Sequence, residues 1–384
     1  MRYKALYRYL IFIFLLSIAD VKAGHWVKED VANGIIHHHI IRDDGPWVIH
    51  VLQMDLKEPS VGLMTKKAFN RRVGREKTST MAISSHTRFH RVAGAINGDF
   101  FSIEGIPEGA QVADGKIVSS PNKWTAFGVT SGRQPFIEVL SLNAKVIAEN
   151  GAEFKVDDIN SERLTDNLIL YNSYNGLTTG TNRWGVEVVV RLTTKHTVND
   201  TMKGVVDIME DKKGDTKIPA EGLVLSGHDA ARDFVMNNVE RGDTLQVIVN
   251  LRDGGEPIEN IVGGVPRIVR DGVASVEHKL EGISDKFALD RHPRTAAGIS
   301  KDSTQVYLIV VDGRQPGYSV GMSLYELSDF MVELGVYQGV NLDGGGSTTM
   351  VVNNEVVNQP SDASGERPVG NALLVIVGSS VENE

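Results

Sequence analysis

Two aspartates and three arginines stand out for the chemistry they could do together. Asp312 opens the string Asp312-Gly313-Arg314, and Asp343 opens Asp343-Gly344-Gly345-Gly346-Ser347. Arg294 and Arg367 lie upstream and downstream of that pair. Arginine is a planar, permanently charged fork that matches phosphate oxygens. A carboxylate can serve as base, nucleophile or cation ligand. Together the two residue types suit a sugar joined to phosphate, where an anion must be gripped while positive charge develops at the sugar carbon. The glycine run has neither the lysine nor the spacing of a phosphate-cradling P-loop, and it does not match the Gly-x-Ser-x-Gly nucleophile elbow. Gly344, Gly345, Gly346 and Ser347 instead form a loop in which a ligand can approach main-chain N–H groups closely.

These residues need elements that bring them to one place. Thr295–Ile299 and Gln305–Val311 are apolar runs joined by the polar turn Ser300-Lys301-Asp302, the pattern of an antiparallel hairpin. The hairpin returns the chain to its start, so Arg294 and Asp312 belong at the same end. A helix follows: Ser323 as N-cap, Glu326 completing a capping box, an apolar stripe of Leu324, Leu327, Phe330, Met331 and Leu334, and Gly335 as terminator. The strand at about 338–342 then runs into Asp343. Strand, helix, strand within one sheet implies that the two strands are parallel, with both aspartates leaving from carboxyl ends. Arg367 precedes a last strand, 372–377, and reaches the same edge.

Upstream, short strands predominate. Ile35–Ile41 and Trp47–Met54 flank an Asp-Asp-Gly-Pro turn, and further strands cover 92–96, 125–130 and 136–142, with Asp114-Gly115 as a hairpin signal. His37, His38 and His39 fall in one strand, whose alternation separates His38 from its neighbours; this argues against three ligands on one metal and for histidines on a half-exposed strand. The basic stretch 66–79 reads as a solvated loop, with anion contact as the lesser alternative. Residues 143–260 read as an inserted β-rich lobe with a short helix near 229–239.

The chain has 384 residues and a formal charge of −9. A general nucleic-acid binder needs a basic face to neutralise phosphates, so with this acidic balance nucleic acid is not expected as a partner. Cysteine is absent, which removes disulfides, thiolate metal sites and a cysteine nucleophile. Residues 1–23 carry Arg2, Lys4 and Arg8, an eleven-residue apolar run from Tyr9 to Ala19, and a small-residue site at Val21-Lys22-Ala23. That is the pattern of a secretory signal peptide cleaved near Ala23, too short in its apolar run for a stable membrane anchor. Its removal leaves 36 basic against 48 acidic residues, a net −12. The chain is accordingly expected to be exported, to the periplasm or the outside of the cell.

Asn97-Gly98-Asp99-Phe100-Phe101, Gly263-Gly264-Val265-Pro266-Arg267, Arg294-Thr295-Ala296-Ala297-Gly298, Asp312-Gly313-Arg314 and Asn341-Leu342-Asp343-Gly344-Gly345-Gly346-Ser347 occur in that order, followed by Arg367-Pro368. In this company they resemble the phosphodiester glycosidase family over about residues 90–378. The resemblance implies hydrolysis of the bond between a sugar's anomeric carbon and a phosphodiester, in a glycan or envelope polymer. It implies a pocket containing Asn97, Arg294, Asp312, Asp343 and Arg367, with Arg314 and His292 as neighbours. On this view Arg294, Arg367 and Arg314 hold phosphate, Asp343 or Asp312 is base or nucleophile, Asn97 orients the sugar or the water, and His292 is a general acid or a hydrogen-bonding scaffold. Asp99 stands where a small residue is common in the family. No cofactor is required on this view; calcium or magnesium on the aspartates and glycine-loop carbonyls is the option the oxygen ligands leave open. The competing class is a non-catalytic phosphosugar or polysaccharide binding protein of the cell envelope. The expected fold is α+β: a β-rich mixed sheet assembly with few helices, comprising an amino-terminal β-rich segment over 24–90 and a catalytic domain over 91–378.

Overall fold

The structure, a computed structural model, describes residues 24–378; the export leader expected over 1–23 lies outside the described residues. Twenty-six strands and four α-helices are arranged in two eight-stranded and two five-stranded sheets among the described residues. The expected β-rich α+β class is what the chain adopts, and the one parallel strand pair, Asp158–Ile159 with Leu168–Tyr171, makes the assembly mixed.

The sheet that positions the site runs, in spatial order, His25–Ala32, Ile35–Arg42, Trp47–Asp55, Gln305–Val311, Arg294–Ile299, Gln338–Asn341, Arg267–Arg270 and Val273–Ala274. The hairpin of Arg294–Ile299 with Gln305–Val311 forms as expected, with Arg294 opposite Val311. Gln338–Asn341 pairs antiparallel with Arg294–Ile299 on its other side. It therefore runs in the same direction as Gln305–Val311, with one strand between them. Asp312 and Asp343 follow the carboxyl ends of these two strands, and Arg294 opens the strand between.

Both faces of the central strands of this sheet are buried, so those strands read as apolar runs rather than as alternating sequence. Leu308 and Val310 pack into one core with Leu52 and Ala297, against the five-stranded sheet that contains His90–Asn97, Asn371–Gly378 and Val61–Lys67. Ile309 and Val311 face the other way, against Leu324, Leu327, Phe330 and Met331 of the helix Leu324–Glu333. That helix has the expected capping box between Ser323 and Glu326, and Gly335, at φ +86°, ends it in the left-handed conformation that glycine alone adopts without strain.

Residues 24–90 are shared between these two sheets. Trp47–Asp55 pairs with Gln305–Val311, and Val61–Lys67 pairs with Asn371–Gly378. Strands between Asn143 and Asn250 form the other eight-stranded sheet, whose core also takes Val112, Ala126 and Ile261 from the neighbouring five-stranded sheet. Two expectations are corrected. The stretch 66–79 is a solvated loop only over about 69–77: Lys67 ends a strand and is fully buried, its Nζ donating to the Gly74 carbonyl at 2.9 Å, and Thr78–Ser84 is a helix. The histidine strand is less exposed than alternation suggests, because His37 and His39 stack on His50 of the next strand at 5.3 and 4.7 Å between ring centres. No helix among the described residues is long and apolar enough to cross a membrane.

Candidate active site

The site is assembled where the two sheets meet. Asn97 ends its strand next to the loop that begins at Asp343, whose N–H donates to the Gly98 carbonyl at 3.0 Å. The Asn97 amide is spent inside the protein. Its Nδ2 donates to the Asp343 carbonyl at 2.6 Å, while its Oδ1 accepts from Thr295 Oγ1 at 2.8 Å and from the Thr349 N–H at 3.1 Å. With no exposed surface, Asn97 braces the backbone of Asp343 and does not itself line the cleft.

Asp343 lines a cleft of roughly 600 Å³ together with Ser347, Arg367, Arg75, Phe100 and Trp124. Burial pushes its carboxyl up to about 6, with the Ser347 hydroxyl, the Arg367 charge and the Gly344 N–H pulling the other way. A carboxyl poised there is ionised at neutral pH yet basic enough to take a proton from a reacting group. Arg367 is held by Asp362 through two parallel bonds, Nε–Oδ2 at 2.7 Å and Nη2–Oδ1 at 2.9 Å, leaving Nη1 uncommitted to that carboxylate.

The glycines allow this crowding. A Cβ at Gly346 would overlap the Arg367 guanidinium and the Asp362 carboxylate. Gly345 sits at φ +63°, with the Arg314 guanidinium 3.1 Å from where a Cβ would be. The loop is thus less of an N–H cradle than its sequence suggests, since the N–H groups of Gly345 and Ser347 bond to the carbonyls of Pro293 and Gly344.

Asp312 is differently placed. It is 1% exposed, and its carboxylate accepts from Asn358 Nδ2 at 2.9 Å, from the Gln359 N–H at 3.0 and 3.1 Å, and from the Tyr318 hydroxyl at 3.0 Å. Burial raises its pKa against these hydrogen bonds. It does not line the cleft of Asp343. Its geometry is that of a carboxylate tying the segments around 318 and 358 to the sheet edge.

Arg294 is 2% exposed and donates from Nε to the Met322 carbonyl and from Nη2 to those of Phe287 and Asp290, with its guanidinium over the Phe287 ring. Burial lowers its pKa to about 10, and the nearby Arg314 charge adds to the effect. No carboxylate pairs with it or with Arg314 among the described residues. Arg314 is exposed and donates toward His292 Nδ1 at 3.3 Å. Burial, then Arg294 and Arg314, lower the His292 pKa, which keeps the ring neutral and makes it an acceptor for Arg314 rather than an acid. Arg314, with the neutral His292 as its acceptor, lies against Gly345 of the glycine loop, whereas Arg367 lies against Gly346. No three acidic or histidine side chains among the described residues converge as a metal-ligand set.

Sequence reasoning missed Arg75, Glu108 and Trp124, all on the cleft wall. They are scattered through the chain and lay in no motif, Arg75 being met only within the basic stretch 66–79, whereas the Phe100 and Phe101 beside them did. Asp99 is buried beside the site, with the Gly109 N–H donating to its Oδ2 at 2.7 Å. Burial raises its pKa to about 8, and the charges of Asp343 and Glu108 push the same way, so it is mostly protonated at neutral pH.

Comparison with known proteins places this geometry in context. The family profile described as phosphodiester glycosidase matches residues 185–376, half of the chain. The N-acetylglucosamine-1-phosphodiester alpha-N-acetylglucosaminidase of Bos taurus is 32% identical over 119 residues, which are 29% of this chain and 22% of that protein. The chain thus aligns with about a fifth of that relative's length. A crystal structure of a hypothetical protein from Synechocystis shares the fold with a TM-score of 0.68 at 20% identity, covering 93% of this chain and 64% of that one. A putative exported protein from Burkholderia pseudomallei K96243 does so with a TM-score of 0.61 at 24% identity, covering 86% of this chain and 74% of that one.

Proposed function

The chain belongs to the phosphodiester glycosidase family, and from that premise we propose that it hydrolyses the bond between a sugar's anomeric carbon and a phosphodiester oxygen. The observation that carries the proposal is the cleft itself: a carboxyl held near 6, an arginine bound beside it, and the rings of Phe100 and Trp124 on the wall. Aromatic faces suit the apolar side of a sugar ring, and the arginine suits the phosphate.

In the proposed reaction the bond between anomeric carbon and phosphate oxygen breaks, and the phosphate leaves with the electron pair. A phosphate ester departs as a stable anion, so arginine charge does much of what a general acid does for an alcohol leaving group. Asp343 takes the proton of the attacking water, or attacks the carbon itself and is released by water in a second step. Asp312 and Asn97 act through position: Asn97 fixes the Asp343 backbone, and Asp312 holds the loops that border the sheet edge. Arg294 and Arg314 supply background positive charge.

The substrate lies in this proposal on an exported glycan or envelope polymer, with the leader removed near Ala23; sequencing the amino terminus of the secreted protein tests the export. The activity is tested with a panel of sugar 1-phosphodiesters that vary in sugar and anomeric configuration, assayed for new reducing ends. Release from at least one member, lost in Asp343→Asn, is the expected result. Saturable binding of the panel without release would make the protein a phosphosugar-binding module instead.

A further inference from the structure

We propose that Arg75 is the second phosphate-binding arginine of the cleft, so that the phosphodiester lies along Arg75 and Arg367 and the sugar lies against Trp124 and Phe100, with Asp343 at the junction. This rests on the hydrolytic reading above and adds the orientation of the substrate.

The arginines near Asp343 differ in what they are already bonded to. Arg294 has given Nε and Nη2 to three carbonyls, Arg314 leans on His292, and Arg367 has given one edge to Asp362. Arg75 is exposed on the cleft wall with no carboxylate partner among the described residues. The cleft's uncommitted fork is therefore Arg75.

The backbone beneath it is pinned on both sides. The buried Lys67 ammonium donates to the Gly74 carbonyl at 2.9 Å, and the Gly74 N–H donates to the Glu104 carbonyl at 2.8 Å. Glu76 pairs through both its N–H and its carbonyl with Val369, at 2.9 Å each. That bridge sets Arg75 beside the segment carrying Arg367, two residues before Val369. The cleft also carries aromatic surface: Phe100 meets Trp124 edge-on at 6.2 Å and Phe287 at 6.1 Å between ring centres. Two charged forks and a pair of packed rings in one cleft match the two parts of a sugar joined to phosphate.

The test uses the full protein and four forms: wild type, Arg75→Ala, Arg75→Lys and Trp124→Ala. With the panel member hydrolysed fastest, Arg75→Ala raises KM about tenfold or more and weakens competitive inhibition by inorganic phosphate by a similar factor, consistent with a lost charge-assisted bond. Arg75→Lys restores part of both. Trp124→Ala raises KM while leaving phosphate inhibition unchanged. Arg75→Ala with KM and phosphate inhibition within twofold of wild type overturns the assignment. If no panel member is hydrolysed the enzymatic reading fails, and calorimetric titration with inorganic phosphate still decides the site: binding to wild type that Arg75→Ala loses supports it, and equal or absent binding in both overturns it.

Discussion

Asp312 and Asp343 leave strands that run the same way in one sheet, yet their surroundings assign them different work. Asp343 faces the cleft, and its native carboxyl holds a proton more tightly than an ordinary aspartate. Activity should therefore rise with pH through about 6, losing close to tenfold per unit below it if the ionised form reacts; a kcat/KM profile measures this. The same shift has a stability sign. Between the ordinary aspartate range and about 6 the folded protein binds more protons than the unfolded chain, so this group's contribution to stability falls as pH rises across that window. Asp343→Asn should cut turnover by roughly 100- to 10,000-fold while stabilising the fold at pH 7 by on the order of 2 kcal/mol. The gain should vanish near pH 3, where both states are protonated; denaturant melts at the two pH values check it. Asp312→Ala should do the reverse to stability. It strands the Asn358, Gln359 and Tyr318 donors, at a cost of about 2 to 4 kcal/mol, read from the shift in denaturation midpoint. Residue type alone could not separate the two aspartates, because the separation lies in partners 46 and 47 residues away, at Asn358 and Gln359.

At the scale of elements, the parts legible in the sequence are those written locally. The Ser323–Glu326 capping box and the 294–311 hairpin are specified by neighbours a few residues apart. From these follows the common edge of Arg294, Asp312 and Asp343. The cleft was not legible, because its wall is built by loops from three sheets: Arg75 after Val61–Lys67, Trp124 before Thr125–Thr130, and Asp343 after Gln338–Asn341. No periodicity connects such residues. The glycine loop is where sequence and packing meet. Gly346→Ala should displace the Arg367–Asp362 pair and reduce activity strongly, with the far-ultraviolet circular dichroism spectrum unchanged; activity near wild type would show that the loop has room the geometry denies it.

For the whole molecule, an acidic chain with a formal charge of −9 brings Arg75 and Arg367 to the cleft of one carboxylate, with Arg314 against the glycine loop that follows it. Long-range repulsion of polyanions and short-range capture of one phosphate coexist because screening in salt confines each charge to roughly 10 Å. The fold also ties the site to the amino terminus. Trp47–Asp55 is the neighbour of the strand that carries Asp312, so a chain starting after Asp55 exposes that strand's edge and should be recovered insoluble. A soluble, active truncation would contradict the shared-sheet account. The central claim is narrower: that Asp343 drives cleavage at the anomeric carbon of a sugar phosphodiester. Its most direct test is hydrolysis of the best panel substrate in ¹⁸O-labelled water by wild type and Asp343→Asn. The account predicts label on the released sugar's anomeric oxygen with wild type and no release by the variant; label on phosphate, or full activity in the variant, would contradict it.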